Sequence, residues 1–128
     1  MDTITGSKVL VVDDDPLNQE MMVTILEDRG YTVFSADDGD SGLDLLDKEQ
    51  DIRVTVTDIM MPNREGISFI RAIRSRRPTM KIIAVTGAVN YQKIFSTAQD
   101  FGADVTLKKP FNIDEFADKV DELVLAVS

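Results

Sequence analysis

A chain of 128 residues suffices for one domain that buries about two-thirds of its unfolded surface. Its 14 basic and 23 acidic residues give a formal charge of −9 and a pI near 4.4, so nucleic acid and anionic membrane are poor partners. Cysteine and histidine are both absent, which excludes disulfides, thiolate zinc sites, imidazole acid–base chemistry and a phosphohistidine carrier role. The longest apolar runs, at 9–12, 82–85 and 123–127, fall far short of the ~20 residues of a membrane span. Residues 1–7 lack a signal-peptide core and read as a short flexible start. A cytoplasmic location is expected.

The run from Lys8 to Val12 is apolar, like a buried parallel strand, and ends in Asp13-Asp14-Asp15. Asp15-Pro16 opens a helix, an N-cap acceptor followed by proline at the first helical position. Met22, Ile25 and Leu26 share one face of that helix, and Gly30 stops it. A second strand is expected at 31–34 and a second helix at 38–50, with Leu43 and Leu46 inward; Gly39 and Gly42 weaken its start. Val54 and Val56 alternate with Thr55 and Thr57 in a third strand ending at Asp58. Pro62 and Gly66 mark the stretch after it as a loop. The next helix, 66–76, carries Ile67, Ile70 and Ile73 at helical spacing and is closed by Pro78. The fourth strand, 81–85, ends in Thr86-Gly87. The fourth helix, about 90–101, directs Ile94, Phe95, Ala98 and Phe101 inward, with Gly102 as its stop. A short fifth strand, 104–108, ends at Lys109-Pro110. The last helix, about 113–127, buries Phe116, Ala117, Val120 and either Leu123 or Val124. Five strands alternating with five helices predict a doubly wound α/β domain, with a parallel sheet and helices on both faces.

In such a sheet the carboxyl ends of the strands share one rim, where ligands bind. Asp13 and Asp14, Asp58, Thr86 and Lys109 therefore converge although they are far apart in sequence. Taken singly each has an ordinary reading: a turn-capping Asp58, one N-cap with two solvated charges at 13–15, a helix-capping Thr86, a surface Lys109. Four separate strand ends carrying this set together point to a site. Carboxylates at close range resist ionising together, and a divalent cation resolves that. A donor set of oxygen alone, with few protein ligands and room for water and phosphoryl oxygens, suits Mg²⁺ best. Such a site can hold a phosphoryl group, with Asp58 as nucleophile, Thr86 as hydrogen-bond donor, and the cation and Lys109 offsetting negative charge.

Four motifs, Val-Leu-Val-Val-Asp13-Asp14-Asp-Pro, Asp58-Ile-Met-Met-Pro-Asn-Arg-Glu-Gly66, Val85-Thr86-Gly and Lys108-Lys109-Pro110-Phe111, stand in this order and spacing. Together they resemble the receiver domains of bacterial two-component response regulators, over about residues 8–127. The resemblance implies a flavodoxin-like (βα)5 fold with strand order 2-1-3-4-5. It implies Asp58 as phosphoacceptor and, with Asp14, as a Mg²⁺ ligand, with Asp13 on the ion directly or through water. Met60 would lend its backbone carbonyl to the metal, Thr86 would be the switch hydroxyl, and Lys109 would pair with the phosphoryl group. A cis peptide before Pro110 is expected, aiming Lys109 inward. Partners implied are a sensor histidine kinase or phosphotransfer protein, and a target or output domain reached through the fourth helix, fifth strand and last helix. A homodimer on phosphorylation is a further outcome the resemblance allows. One position departs: the family usually has Tyr or Phe three residues before the lysine, and this chain has Thr106.

The reading is a signalling switch that catalyses only its own phosphorylation and dephosphorylation. A competing class is a Mg²⁺-dependent aspartyl-phosphate phosphohydrolase, similar to the haloacid dehalogenase group. Those enzymes place a second Asp two residues after the nucleophile, where this chain has Met60, which cannot transfer a proton. A third reading is a receiver fragment of a larger regulator or hybrid kinase.

Overall fold

The computed structural model describes residues 5–60, 66–87 and 91–126. The elements are β1 (Lys8–Val12), α1 (Pro16–Asp28), β2 (Thr32–Ala36), α2 (Gly39–Lys48), β3 (Ile52–Asp58), α3 (Gly66–Arg76), β4 (Lys81–Thr86), α4 (Tyr91–Phe101), β5 (Val105–Lys108) and α5 (Ile113–Ala126). The five strands form one parallel sheet in the order β2-β1-β3-β4-β5. Both the fold class and the strand order match the expectation. The chain runs from β1 outward to β2, then crosses back to β3 on the other side. Between β1 and β3 the winding reverses, the point at which sheets of this kind bind their ligands.

Strand alternation divides the core in two. Val9, Val11, Val54, Val56, Ile83, Val85 and Leu107 face α1 and α5, meeting Met22, Ile25 and Leu26 from one and Phe116, Ala117, Val120 and Val124 from the other. Leu10, Val12, Ile52, Ile82 and Ala84 face the opposite layer, against Leu43 and Leu46 of α2, Phe69, Ile70 and Ile73 of α3, and Ala98 of α4. Central strands covered on both sides read as apolar runs rather than alternating ones, as β1 and β4 do.

Several boundaries differ from the sequence reading. β2 starts and ends later than 31–34, because Tyr31 belongs to the α1 exit: its N–H donates to the Leu26 carbonyl at 3.1 Å. α2 stops at Lys48 rather than residue 50, and Asp38 is its N-cap, accepting from the Ser41 N–H at 2.8 Å. Gly42, which weakened the helix on propensity, is required by packing: a Cβ there would lie 2.9 Å from the Phe69 ring. Val124 is the buried alternative of the last helix, and Leu123 packs only partly against the core. Phe101 is not inward. It is 38% exposed, with the Arg71 guanidinium of α3 over its ring at 5.6 Å. α4 covers the edge of the sheet at β4 and β5, so its buried stripe is narrow, and of its residues only Ala98 is wholly enclosed.

The start of the chain is tied rather than loose where it is described. Gly6 N–H donates to the Gly30 carbonyl at 2.7 Å, and the Ser7 carbonyl accepts from Thr32 N–H at 3.0 Å. The expectations placed on residues 1–4, on the loop at 61–65, on Asn90 at the start of the fourth helix and on residue 127 lie outside the described residues. Among the described residues no helix is long and apolar enough to cross a membrane.

Thr55, at the centre of the sheet between Leu10 and Ile82, is fully buried, and its hydroxyl has no hydrogen-bond partner. A buried unpaired hydroxyl carries a desolvation cost that an isosteric methyl does not. Thr55→Val should therefore stabilise the fold by about 1 kcal/mol in urea unfolding at unchanged m value. A loss of stability would mean that the hydroxyl is satisfied in solution.

Candidate functional site

Asp13 follows the last residue of β1 and Asp58 is the last of β3. Val12 pairs with Thr57, so the two aspartates lie side by side at the point where the winding reverses. Asp13 is completely buried, Asp58 is 8% exposed and Asp14 is on the surface. One carboxylate oxygen from each of Asp13, Asp14 and Asp58 lies within 4.8 Å of the others.

Lys109 reaches this group from the end of β5. Its Nζ donates to Asp13 Oδ2 at 2.9 Å and to Asp58 Oδ2 at 2.9 Å. Its backbone N–H donates to the Thr86 carbonyl at 2.8 Å, which fixes it beside the end of β4. The Lys109–Pro110 peptide is cis, as expected. Thr86 is fully buried at the end of β4, whose Val85 pairs with Asp58. The second oxygen of Asp58 accepts from the Met60 N–H at 2.8 Å, so both carboxylate oxygens are restrained. The Met60 side chain is 58% exposed. Gly66 lets α3 start directly behind β3: a Cβ there would meet the Ile59 Cα at 2.3 Å, whereas the glycine N–H donates to the Ile59 carbonyl at 2.9 Å.

The electrostatics follow from burial. Desolvation pushes the Asp13 carboxyl above its ordinary value; hydrogen bonds from Lys109 and the Asp15 N–H oppose this without cancelling it, and the Asp58 charge adds to it. Burial alone would lower the Lys109 ammonium, but hydrogen bonds to Asp13 and Asp58, and their charges, more than offset that and hold it above its ordinary value. Three carboxylates against one ammonium leave two uncompensated negative charges. The donors are carboxylate oxygens only, and one of them is open to solvent. That set fits a hard divalent cation.

Of the residues singled out from sequence, Asp13, Asp14, Asp58 and Lys109 are brought together directly, Thr86 lies one strand over, and Met60 adjoins Asp58. Thr106 pairs with Ala84 on β5 and is partly buried. Nearby, Lys108 Nζ lies 5.2 Å from the Tyr91 ring centroid, and Tyr91 meets Phe95 edge-on at 5.6 Å. Sequence reasoning passed over Gln19, whose amide reaches the Asp13 carbonyl. The available signal was a long polar side chain four residues after the N-cap, on the turn of α1 that faces the acidic loop.

The family model for the response regulator receiver domain matches residues 9–121. Among curated proteins, the transcriptional regulatory protein CpxR of Escherichia coli K12 is 33% identical over 114 residues, covering 89% of this chain and 47% of CpxR. The transcriptional regulatory protein DltR of Streptococcus agalactiae is 35% identical over 115 residues, covering 88% of this chain and 50% of its own. The chain thus spans about half the length of the curated relatives it matches. Among solved structures, the chemotaxis response regulator CheY4 of Vibrio cholerae superposes with a TM-score of 0.84 at 30% identity, covering 93% of this chain and 99% of that one. A match that takes in both layers and every strand end described above leaves one assignment: the chain belongs to the response regulator receiver domains, phosphoacceptor switches of two-component signalling rather than classical enzymes.

Proposed function

We propose that Asp58 is the phosphoacceptor, that Asp13 and Asp14 hold Mg²⁺ beside it with the Met60 backbone carbonyl, and that Thr86 and Lys109 respond to the phosphoryl group. Residues 8–127 are taken as the receiver unit, working in the cytoplasm with a sensor histidine kinase or phosphotransfer protein upstream. The observation that carries this reading is the double bridge of Lys109. A single ammonium holds Asp58 and Asp13 at 2.9 Å each, joining the ends of β1, β3 and β5.

In the transfer, an Asp58 oxygen attacks phosphorus and the phosphorus–nitrogen bond of the donor phosphohistidine breaks, leaving an acyl phosphate on the protein. The Met60 N–H and Lys109 orient the carboxylate, so that little freedom is lost on reaching the attacking geometry. Bound Mg²⁺ would neutralise charge on the phosphoryl oxygens and on the cluster. Lys109 lies close enough to follow the new negative charge, and Thr86, on the strand beside Asp58, supplies a hydroxyl on the same rim. The protein's own contribution to its phosphorylation and dephosphorylation is confined to these groups. A phosphohydrolase is disfavoured, because Met60 occupies the general-acid position with no proton to give.

Output is proposed to leave through α4, β5 and α5. Thr86 pairs with Lys108 across β4 and β5, and Lys108 lies over Tyr91 at the start of α4, so the rim and this face share one strand pair. Thr106 has no ring to turn, which shifts the burden of coupling onto Thr86 and the contacts around Tyr91. A target protein, an output domain or a second phosphorylated copy would read that face.

Two outcomes test the reading. Asp58→Asn should abolish acid-labile labelling by acetyl phosphate, and EDTA should do the same to the wild-type chain. Persistent label on the variant at wild-type level would refute the acceptor assignment. The second concerns Asp13. Burial raises its folded value, so without metal its charged form costs more in the folded protein than in the unfolded chain. Stability from it is present below the ordinary carboxylate value of 3.8 and lost as pH rises through the higher folded value. At neutral pH in EDTA, Asp13→Asn should therefore stabilise the fold and remove that part of the pH dependence. It should also diminish the stabilisation gained from Mg²⁺. A destabilised variant in EDTA would show that the Lys109 bridge outweighs the burial cost.

A further inference from the structure

Gln19 lies one turn into α1, directly beneath the acidic loop. Its Nε2 sits 3.0 Å from the Asp13 carbonyl oxygen, 2.9 Å from the Ala36 carbonyl oxygen and 3.0 Å from Asp37 Oδ1. All three are acceptors, so the nitrogen and not the oxygen of the amide must face them. Two N–H groups serve three acceptors. The Ala36 carbonyl also accepts the Asp13 N–H at 3.2 Å.

This cluster stands where β1 and β2 part, since Val12 with Ala36 is their last pair. Beyond it the backbone of Asp13 has no strand partner on that side. Its N–H is tied to the end of β2 directly and its carbonyl is tied there through Gln19. That carbonyl belongs to the peptide leading into Asp14. The Asp14 carboxylate is exposed and makes no hydrogen bond among the described residues, so its direction is set by the backbone that carries it.

Resting on the Mg²⁺ reading above, we infer that Gln19 is a positioning residue for the cation: it locks the Asp13–Asp14 peptide so that both carboxylates face Asp58. The choice of side chain fits. An amide supplies two donors without adding a positive charge that would compete with a cation, and its reach spans from α1 to two strand ends. An apolar residue of the same length would leave the Asp13 carbonyl without its donor and the peptide free to tilt. Partners of metal ligands typically affect affinity by about 10–100-fold.

The test is a Mg²⁺ titration of the full chain followed by ¹⁵N NMR, in wild type and in Gln19→Met. The expected result is a dissociation constant weakened about tenfold in the variant, with the melting temperature in EDTA close to wild type. In the wild-type protein the Gln19 Nε2 signals should shift with the same midpoint as the Asp14 amide. An unchanged dissociation constant in a folded variant overturns the inference, even if the melting temperature falls, because a purely structural contact would lower only the latter. Should the variant fail to fold, the wild-type signals decide: a Gln19 amide that ignores Mg²⁺ while Asp14 responds also overturns it. A wild-type chain in which neither Asp14 nor Asp58 responds refutes the Mg²⁺ reading itself, and this inference with it.

Discussion

The repulsion between Asp13 and Asp58, only partly relieved by Lys109, governs the acidic rim. The two carboxylates belong to adjacent strands, and one of them has no contact with solvent. A buried carboxylate is tolerated only when paired and hydrogen-bonded. Lys109 serves both, and its own ammonium keeps its proton because two negative charges outweigh the burial. The charge that one lysine cannot balance makes the rim receptive to a cation. The same imbalance would couple a bound cation, a phosphoryl group on Asp58 and the lysine, since a new charge at any one of them alters the others.

The sheet order brings this about. Placing β1 and β3 next to each other at the reversal of winding sets their carboxyl ends side by side. The two apolar layers then fix the strands rigidly from either side, so the charged groups cannot separate to relieve their repulsion. At the opposite end of the sheet two arginines do corresponding work on backbone. Arg74 donates to the carbonyls of Pro78, Met80 and Gly102, and Arg77 to those of Leu46, Gln50 and Ile52. Loops there are bound to helices through these arginines.

Much of this was legible in the sequence, for a definite reason. Strand ends are marked by an abrupt change from apolar to polar residues, and in a parallel sheet every such end falls on one side. Asp13, Asp58, Thr86 and Lys109 therefore group together from the sequence alone. What could not be read was how much sheet lies beneath each helix. The apolar spacing of α4 is ordinary, yet α4 covers an edge, so Phe101 is left outside under Arg71. Gly42 looked like a defect because propensity carries no information about Phe69 approaching from α3. Arg74, Arg77 and Gln19 resemble solvated polar residues. Their targets are backbone carbonyls, which no side-chain pattern announces.

On the proposed chemistry the acyl phosphate forms on Asp58 and on no neighbouring carboxylate. Reduction with borohydride converts a phosphorylated aspartate to homoserine, and peptide mass spectrometry locates the conversion. After incubation with acetyl phosphate and Mg²⁺, conversion at residue 58 alone is the result this account predicts. Conversion at Asp13 or Asp14, or none anywhere in the chain while acid-labile phosphate is present, would contradict it.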